Sequence, residues 1–324
     1  MKVLVTGATS LLGRATVERL TERGHAVTVF QRGASGLPVA ERRGDVRAPA
    51  YVDLAVEGQE AVIHLAAKVA VTGDWTDFEQ INIKGTANVI DGARRAGIER
   101  IVHVSSPSVV HAGSPLVGAG AGRADPTSTR GHYATSKAEA ELLALEASSP
   151  ELAIVAIRPH LVWGPGDEQL VGRIVDRARS GRLALIGTGL ALIDSTYVDN
   201  AADALVAALD AAPRLAGRAL VVSNGEPRTV RELVGRIVES AGMKPPRRSV
   251  PSRLAFGGGL LVERIWDRGS RDGDPPMTSF LAEQLSTAHW FDQRDTRAAL
   301  HWTPSVSIEA GFDRLAAWYD QGRT

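Results

Sequence analysis

The 324-residue chain carries 37 basic and 37 acidic side chains, a formal net charge of zero, and 44% hydrophobic residues. Such a composition buries a sizeable core and excludes a disordered chain, and the balanced charge offers no field to gather nucleic acid or an anionic membrane. With no cysteine, disulfides, thiolate metal sites and thiol catalysis are excluded.

The first β-branched run begins at residue 2, which leaves no room for a signal peptide, and no apolar run approaches the roughly 18 residues of a membrane span. A soluble, cytoplasmic protein is expected. The longest apolar candidate, L-A-F-G-G-G-L-L-V at 254–262, holds three glycines and reads as a piece of an added lobe, with a membrane- or partner-facing surface as the alternative.

In chain order, K-V-L-V-T (2–6), A-V-T-V-F (26–30), A-V-I-H-L (61–65), R-I-V-H-V-S (100–105) and A-I-V-A-I-R (153–158) predict strands. Between them the segments 11–24, 78–97 and 133–147 have apolar residues at helical spacing. Near-continuous apolar strands alternating with helices predict a parallel sheet covered on both faces, hence a doubly wound α/β (Rossmann) fold.

After Pro159 this rhythm breaks. Residues 171–181 predict a helix and 183–189 a short strand and turn, and then 196–224 read as a return to the first unit. Helix 229–242 leads into proline- and glycine-rich connections carrying Trp266, Trp290 and Trp302. The expected division is a dinucleotide-binding unit, 1–162 with return segments at about 196–224, and a discontinuous substrate lobe, 163–195 and 225–324. Ligands bind at the carboxyl edge of such sheets, so the lobe should close over that edge.

The stretch T-G-A-T-S-L-L-G joins the first strand to the first helix and predicts a diphosphate loop of Gly7, Thr9, Ser10, Leu11, Leu12 and Gly13. Gly7 serves the tight turn and Gly13 close helix packing, while Ser10 replaces the usual middle glycine with a hydroxyl expected to reach phosphate. Where an acidic residue would select NAD by bonding the ribose hydroxyl, this chain has Gln31 and then Arg32. A neutral amide and a guanidinium favour NADP(H), with NAD(H) as the alternative. Asp45 and Val46 should meet the adenine, and Leu65, Ala66 and Ala67 let the cofactor pass close to the chain. Pro159 completes the expected cofactor contacts.

Tyr133 and Lys137 lie four residues apart, on one face of a predicted helix. A nearby ammonium, together with a positively charged nicotinamide in the oxidised complex, favours phenolate and lowers the pKa, so Tyr133 is expected to pass a proton to or from an alcohol or ketone oxygen. Ser106, with Ser105 and Ser108 as rivals, would orient that oxygen from the end of strand 100–105. Asn82 would hold a water or a backbone kink near the lysine, or simply bond within its own helical turn. His64 and His103 read as core histidines; no grouping has metal-ligand spacing, and no G-x-S-x-G elbow supports an acyl-transfer hydrolase.

T-G-A-T-S-L-L-G, H-L-A-A-K, N-I-K-G-T, S-S-P-S, Y-A-T-S-K and R-P-H-L-V-W-G-P-G-D occur in the order found in the extended short-chain dehydrogenase/reductases, which the chain resembles over essentially its whole length. That resemblance implies Ser106, Tyr133 and Lys137 as catalytic triad with Asn82 in support; Ser10 departs from the pattern. Within the family the text is most similar to the 3β-hydroxysteroid dehydrogenase-like branch. H-V-S-S-P-S-V-V, S-T-Y-V-D-N, P-P-M-T and Q-L-S-T-A-H-W-F-D look like the 2-alkyl-3-oxoalkanoate reductases of bacterial olefin biosynthesis.

The activity so implied is NADPH-dependent reduction of a long-chain 3-oxo acid. The alternatives are a 3β-hydroxysteroid or sterol-4-carboxylate dehydrogenase, a sugar-nucleotide epimerase and, from another class, a non-catalytic NADP-binding regulator. Lys68 and His160 are candidates to answer the carboxylate of an apolar substrate, or else structural residues, and Ser108 is a further candidate substrate contact. The family resemblance further implies a homodimer through the helices around 78–97 and 131–147, and membership of a pathway enzyme assembly.

Overall fold

The computed structural model describes residues 1–70, 72–111, 113–268 and 278–322. Its first half builds a sheet from β1 (Lys2–Thr6), β2 (Ala26–Gln31), β3 (Ala40–Arg43), β4 (Ala61–His64), β5 (Arg100–Val104) and, after the short β6 (Leu116–Ala119), β7 (Ala153–Pro159). Helices α1 (Leu11–Glu22), α2 (Pro49–Val56), α3 (Trp75–Phe78), α4 (Gly85–Arg95) and α5 (His132–Glu146) intervene. Val3, Leu4, Val5, Ile63, Val102, Ile154 and Val155 are wholly buried because helices cover both faces of the sheet. β3, A-E-R-R, has no β-branched residue and lies at the sheet edge, where charged side chains are tolerated and discourage pairing with other chains.

The second half adds β8 (Val162–Trp163), α6 (Val171–Arg179), β9 (Leu185–Ile186), β10 (Leu192–Ile193), β11 (Thr196–Tyr197), α7 (Val198–Ala211), β12 (Ala219–Val222) and β13 (Arg228–Thr229). It ends with α8 (Val230–Ser240), β14 (Ser249–Val250), α9 (Ser252–Arg268), α10 (Ser279–Gln284), β15 (His289–Phe291), α11 (Arg294–Leu300) and α12 (Ile308–Asp320). The 254–262 run lies in α9, with Ala255 buried and Leu254, Leu260 and Leu261 exposed. Pro275, Pro276 and Met277, which begin the P-P-M-T text, and the side chain of Trp266 lie outside the described residues. Among the described residues no helix is long and apolar enough to cross a membrane.

The seven-stranded parallel sheet has the order β12-β7-β5-β4-β1-β2-β3. The direction of strand order reverses beside β1, so the carboxyl ends of β1 and β4 frame a crevice there. Segment 196–224 returns to this unit: α7 contributes Leu205, Val206 and Leu209 to the core beneath β1 and β5, and β12 pairs with β7. A second, four-stranded sheet, β13-β10-β15-β6, lies beyond it. Its edge strand β6 comes from the loop after β5 and pairs with β15, tying the loop that carries the serines to the carboxyl-terminal segments. Trp163, stacked on Phe312 at 4.7 Å and edge-on to Tyr197 at 5.6 Å, anchors the second core.

The predicted single helix over 78–97 is three pieces. Between α3 and α4, residues Glu79–Lys84 form a π-helical turn, the kind of one-residue insertion that re-aims side chains at functional sites. Asn82 sits in that turn. Gly85 follows where a Cβ would stand 2.8 Å from Val46 Cγ2, so the helix can resume against the sheet loop only with glycine there.

Candidate active site

A cleft of about 1110 Å³ runs over the carboxyl ends of β1, β2 and β4. Its floor depends on Gly7, whose φ is +72° and whose Cβ, if present, would stand 2.8 Å from the Ala66 nitrogen. A Cβ on Gly13 would stand 2.4 Å from the Gly7 carbonyl oxygen, so both outer glycines are required by close backbone approach.

Ser10 turns out to be the N-cap of α1. Its Oγ accepts from the Gly13 N–H at 3.0 Å and donates to the Gly7 carbonyl at 3.0 Å. The hydroxyl expected to reach a phosphate is instead committed within the loop, because capping satisfies an orphan donor of the first helical turn. The loop's anion-binding character rests on the helix N-terminus itself.

Thr9, Ser10 and Leu12 line the cleft, whereas Leu11 turns away and packs on the second core. At the far end Gln31 and Arg32 line it too, with Gln31 Nε2 donating to the Gly33 carbonyl at 3.0 Å. Asp45 holds Arg47 through three contacts of 2.6–3.0 Å, and that guanidinium keeps its carboxyl below the usual range. Val46, Leu65, Ala66 and Ala67 complete the wall. These residues fit a dinucleotide: a backbone cradle a Cβ would fill, a helix N-terminus, and polar side chains at the far end of the cleft.

The serine, tyrosine and lysine meet where β5 and α5 end and begin. Ser106 caps the 3₁₀ turn Pro107–Val110; its Oγ accepts from Ser108 N at 3.2 Å and from Ser108 Oγ at 2.9 Å. The Ser106 hydroxyl stands near the Tyr133 phenol and favours its ionised form. One helical turn on, Lys137 Nζ donates to the Val104 carbonyl at 2.6 Å, at the end of β5.

The lysine alone does not lower Tyr133. Burial pushes the phenol upward with only the Ser106 hydroxyl opposing it, while burial drives Lys137 itself down to about 8, partly countered by Glu141. Burial disfavours the charged form of each group and is the largest cause at both.

Asn82 does more than kink the helix. Its Oδ1 accepts from Lys68 N at 2.7 Å, and its Nδ2 donates to the Lys68 carbonyl at 3.2 Å and to Ser136 Oγ at 2.9 Å. It thereby pins the chain after β4 to α5 between Tyr133 and Lys137. Glu141, a further turn along α5, forms a wholly buried ion pair with Arg158 of β7, bonding Arg158 Nε at 2.8 Å. Arg158 also donates to the carbonyls of Ala121 and Gly122, locking β7, α5 and the loop after β5 together.

Tyr133 faces a second space as well, an apolar cavity of about 260 Å³. Ser106, Ser108 and His160 line it from the sheet, and α6, α8 and α10 supply leucines, valines and Ile174. Two expectations need correction here. Pro159 lines this cavity and not the dinucleotide cleft, because β7 ends on the cavity side of Ser106. Lys68 lies in the dinucleotide cleft, paired with Asp77 at 2.5 Å and 5.0 Å above the Phe78 ring, so its charge is already answered.

Sequence reasoning missed His111 and His289, which join His160 at the cavity wall. They come from distant segments with no common spacing, so no local pattern could group them.

The comparisons with known proteins agree with this geometry. The chain is 43% identical to a 2-alkyl-3-oxoalkanoate reductase of Stenotrophomonas maltophilia, over 98% of this chain and 99% of that protein. It is 38% identical to a 2-alkyl-3-oxoalkanoate reductase of Shewanella oneidensis, over 97% of this chain and 85% of the relative. Among solved structures, MoeE5 in complex with UDP-glucose and NAD superposes with a TM-score of 0.76 at 24% identity, covering 99% of each chain, which shows the shared fold. The sequence profile of the 3-beta hydroxysteroid dehydrogenase/isomerase family matches residues 4–252. The chain belongs to that family, within the extended short-chain dehydrogenase/reductases, and is an NAD(P)-dependent oxidoreductase.

Proposed function

We propose that the chain is an NADPH-dependent reductase that converts the 3-ketone of a long-chain 2-alkyl-3-oxoalkanoic acid to the 3-hydroxy acid. The observation that carries this reading is the cavity of about 260 Å³, walled by Leu161, Leu170, Ile174, Leu233, Leu281 and Leu285, which meets Ser106 and Tyr133. Its lining is mostly aliphatic, with the polar groups gathered beside Ser106 and Tyr133, which suits a substrate with alkyl arms and one polar head. Relatives named for this activity support the substrate class.

The dinucleotide, when bound, supplies the hydride. Tyr133, protonated at neutral pH because burial raises its pKa, donates its proton to the ketone oxygen. Ser106 orients that oxygen, and Ser108 fixes the Ser106 hydroxyl from behind. Lys137 borders the cofactor side, held at Val104, and Asn82 keeps the helix carrying both residues in register. The loop Gly7–Gly13, Gln31 and Arg32 would hold the cofactor, and the guanidinium favours a 2′-phosphate. Segments 163–195 and 225–324 act as the substrate lobe. The protein works in the cytoplasm as a homodimer through the helices at 78–97 and 131–147, in a pathway enzyme assembly.

The test mixes the protein with NADPH or NADH and a 2-alkyl-3-oxo acid, or the hydroxy acid in reverse, and follows nicotinamide absorbance. Turnover should favour NADPH by about tenfold or more, and Gln31→Asp with Arg32→Ala should reverse that order. Cofactor binding without turnover would refute the reductase. The family's name makes a 3β-hydroxysteroid the comparison substrate; faster oxidation of the steroid, side by side, would replace this reading.

A further inference from the structure

Besides Ser106, Ser108, Tyr133 and Gln284, the polar lining of the apolar cavity consists of three histidines. His111 follows the 3₁₀ turn, His160 follows β7, and His289 opens β15; they are 3%, 6% and 3% exposed. The His289 ring lies 4.9 Å from that of His160 and 6.2 Å from that of His111.

The direction of the hydrogen bonds can be traced from one end. The Gln284 carbonyl only accepts, so His289 Nε2, 2.9 Å away, carries hydrogen. A neutral His289 then offers a lone pair at Nδ1, and His160 Nε2 donates to it across 3.0 Å. His160 is therefore left with a lone pair at Nδ1. That atom, like both nitrogens of His111, has no hydrogen-bond partner among the described residues. Each such atom costs about 1–3 kcal/mol to bury unpaired, and three of them side by side at a reaction cavity call for a ligand. A cation is a poor candidate, because both His289 nitrogens are already engaged.

We propose that His160 and His111 receive the carboxylate of the substrate, taken up together with one proton from solvent that bonds to His160 Nδ1 and makes an imidazolium–carboxylate pair. This rests on the reading of the cavity as the site of 2-alkyl-3-oxo acid reduction. With the ketone oxygen at Ser106 and Tyr133, the acid group one carbon away falls on the histidine side and the alkyl arms on the leucine side.

Electrostatics supports the arrangement. Burial first, and then mutual repulsion, holds His160 well below its ordinary value, with His289 at about 4 and His111 also lowered. The cluster is thus neutral until an anion arrives. Of the other ionisable groups around it, Arg130 pairs with Glu283 at 2.9 Å, and Asp194 accepts through Oδ2 from Ser223 Oγ at 2.8 Å and Phe291 N at 3.1 Å. The Asp194 Oδ1 has no partner among the described residues, but Asp194 is not among the causes of the shift at any of the three histidines. A bound carboxylate supplies the opposite charge that the protein's own side chains do not.

The test runs in the oxidative direction with NADP⁺, comparing a 2-alkyl-3-hydroxy acid with its methyl ester. His160→Gln keeps an amide where Nε2 meets His289 and removes Nδ1. Its KM for the acid should rise about tenfold or more, with kcat within about threefold and the ester KM within about twofold. His111→Leu should show the same split. Equal shifts for acid and ester, or no shift, would overturn the proposal.

A second measurement needs no variant: calorimetry of the hydroxy acid binding to the wild-type NADPH complex, at about pH 8, in buffers of different ionisation enthalpy. It should show uptake of about one proton for the acid and none for the ester; no uptake refutes the pair. Wild-type protein that turns over neither acid nor ester would instead overturn the reductase reading, and this inference with it.

Discussion

Glu141→Gln isolates what holds the catalytic helix in place. Glu141 accepts two hydrogen bonds from Arg158, and both side chains are fully buried. The amide removes the negative charge and turns one acceptor into a donor, leaving the guanidinium charge uncompensated among its remaining carbonyl partners, Ala121 and Gly122. Breaking one member of such a pair costs about 3–5 kcal/mol, a large part of the roughly 5–15 kcal/mol that stabilises a domain. At roughly 2.1 cal/mol/K of unfolding entropy per residue over 324 residues, each kcal/mol moves Tm by about 1.5 °C, so the expected fall is about 4–7 °C. Thermal denaturation by circular dichroism measures it. The apolar double replacement Glu141→Leu with Arg158→Met should recover most of the loss, since neither charge then remains buried. A Glu141→Gln variant within about 1 kcal/mol of wild type, or a double variant no better than the single one, would show that the pair does not clamp α5 to β7 as described.

Tyr133→Phe should lower kcat about 10²–10⁴-fold with little change in cofactor affinity, by fluorescence titration. Because burial raises the phenol's pKa, reduction should hold its rate through neutral pH and fall only as pH rises through that higher value, while oxidation climbs with pH; a pH profile falling through the neutral range would contradict this. Lys137 is lowered from 10.5 to about 8, so between those values the unfolded chain binds more protons than the folded one. Stability contributed by this site should therefore rise with pH across that window. Lys137→Met should raise Tm at neutral pH, by an amount that shrinks toward about pH 10.5, while losing turnover. Ser10→Ala, which removes the cap of α1, should cost about 1 kcal/mol, whereas Ser10→Gly should cost only a few tenths and leave cofactor titration nearly unchanged. Abolished cofactor binding in the glycine variant would return the hydroxyl to the phosphate.

Strands and helices with strong periodicity were legible in the sequence nearly to the residue. K-V-L-V-T and the helix beginning at Leu11 follow from β-branched runs and local capping, which neighbouring residues decide. Ser106, Tyr133 and Lys137 were equally legible as candidates, because each sits at a strand end or on a single helical face. The role of Ser10 was not, since a cap and a phosphate contact use the same hydroxyl and only the packing of Gly13 against Gly7 chooses between them. The π-helical turn at Asn82 was hidden too, because one extra residue in a helix hardly alters its apolar spacing.

The sequence by itself determined the doubly wound sheet and the dinucleotide loop and named Ser106, Tyr133 and Lys137 as candidates, all consequences of short-range pattern and of one fixed handedness of connection. Tertiary structure alone decided which residues share a space. It sent Lys68 to the cofactor side and Pro159 to the cavity, buried Tyr133 beside its lysine, and brought His111, His160 and His289 together from segments up to 178 residues apart. Burial and long-range contact set hydrogen-bond partners and pKa values, and neither is written in the spacing of residues along the chain.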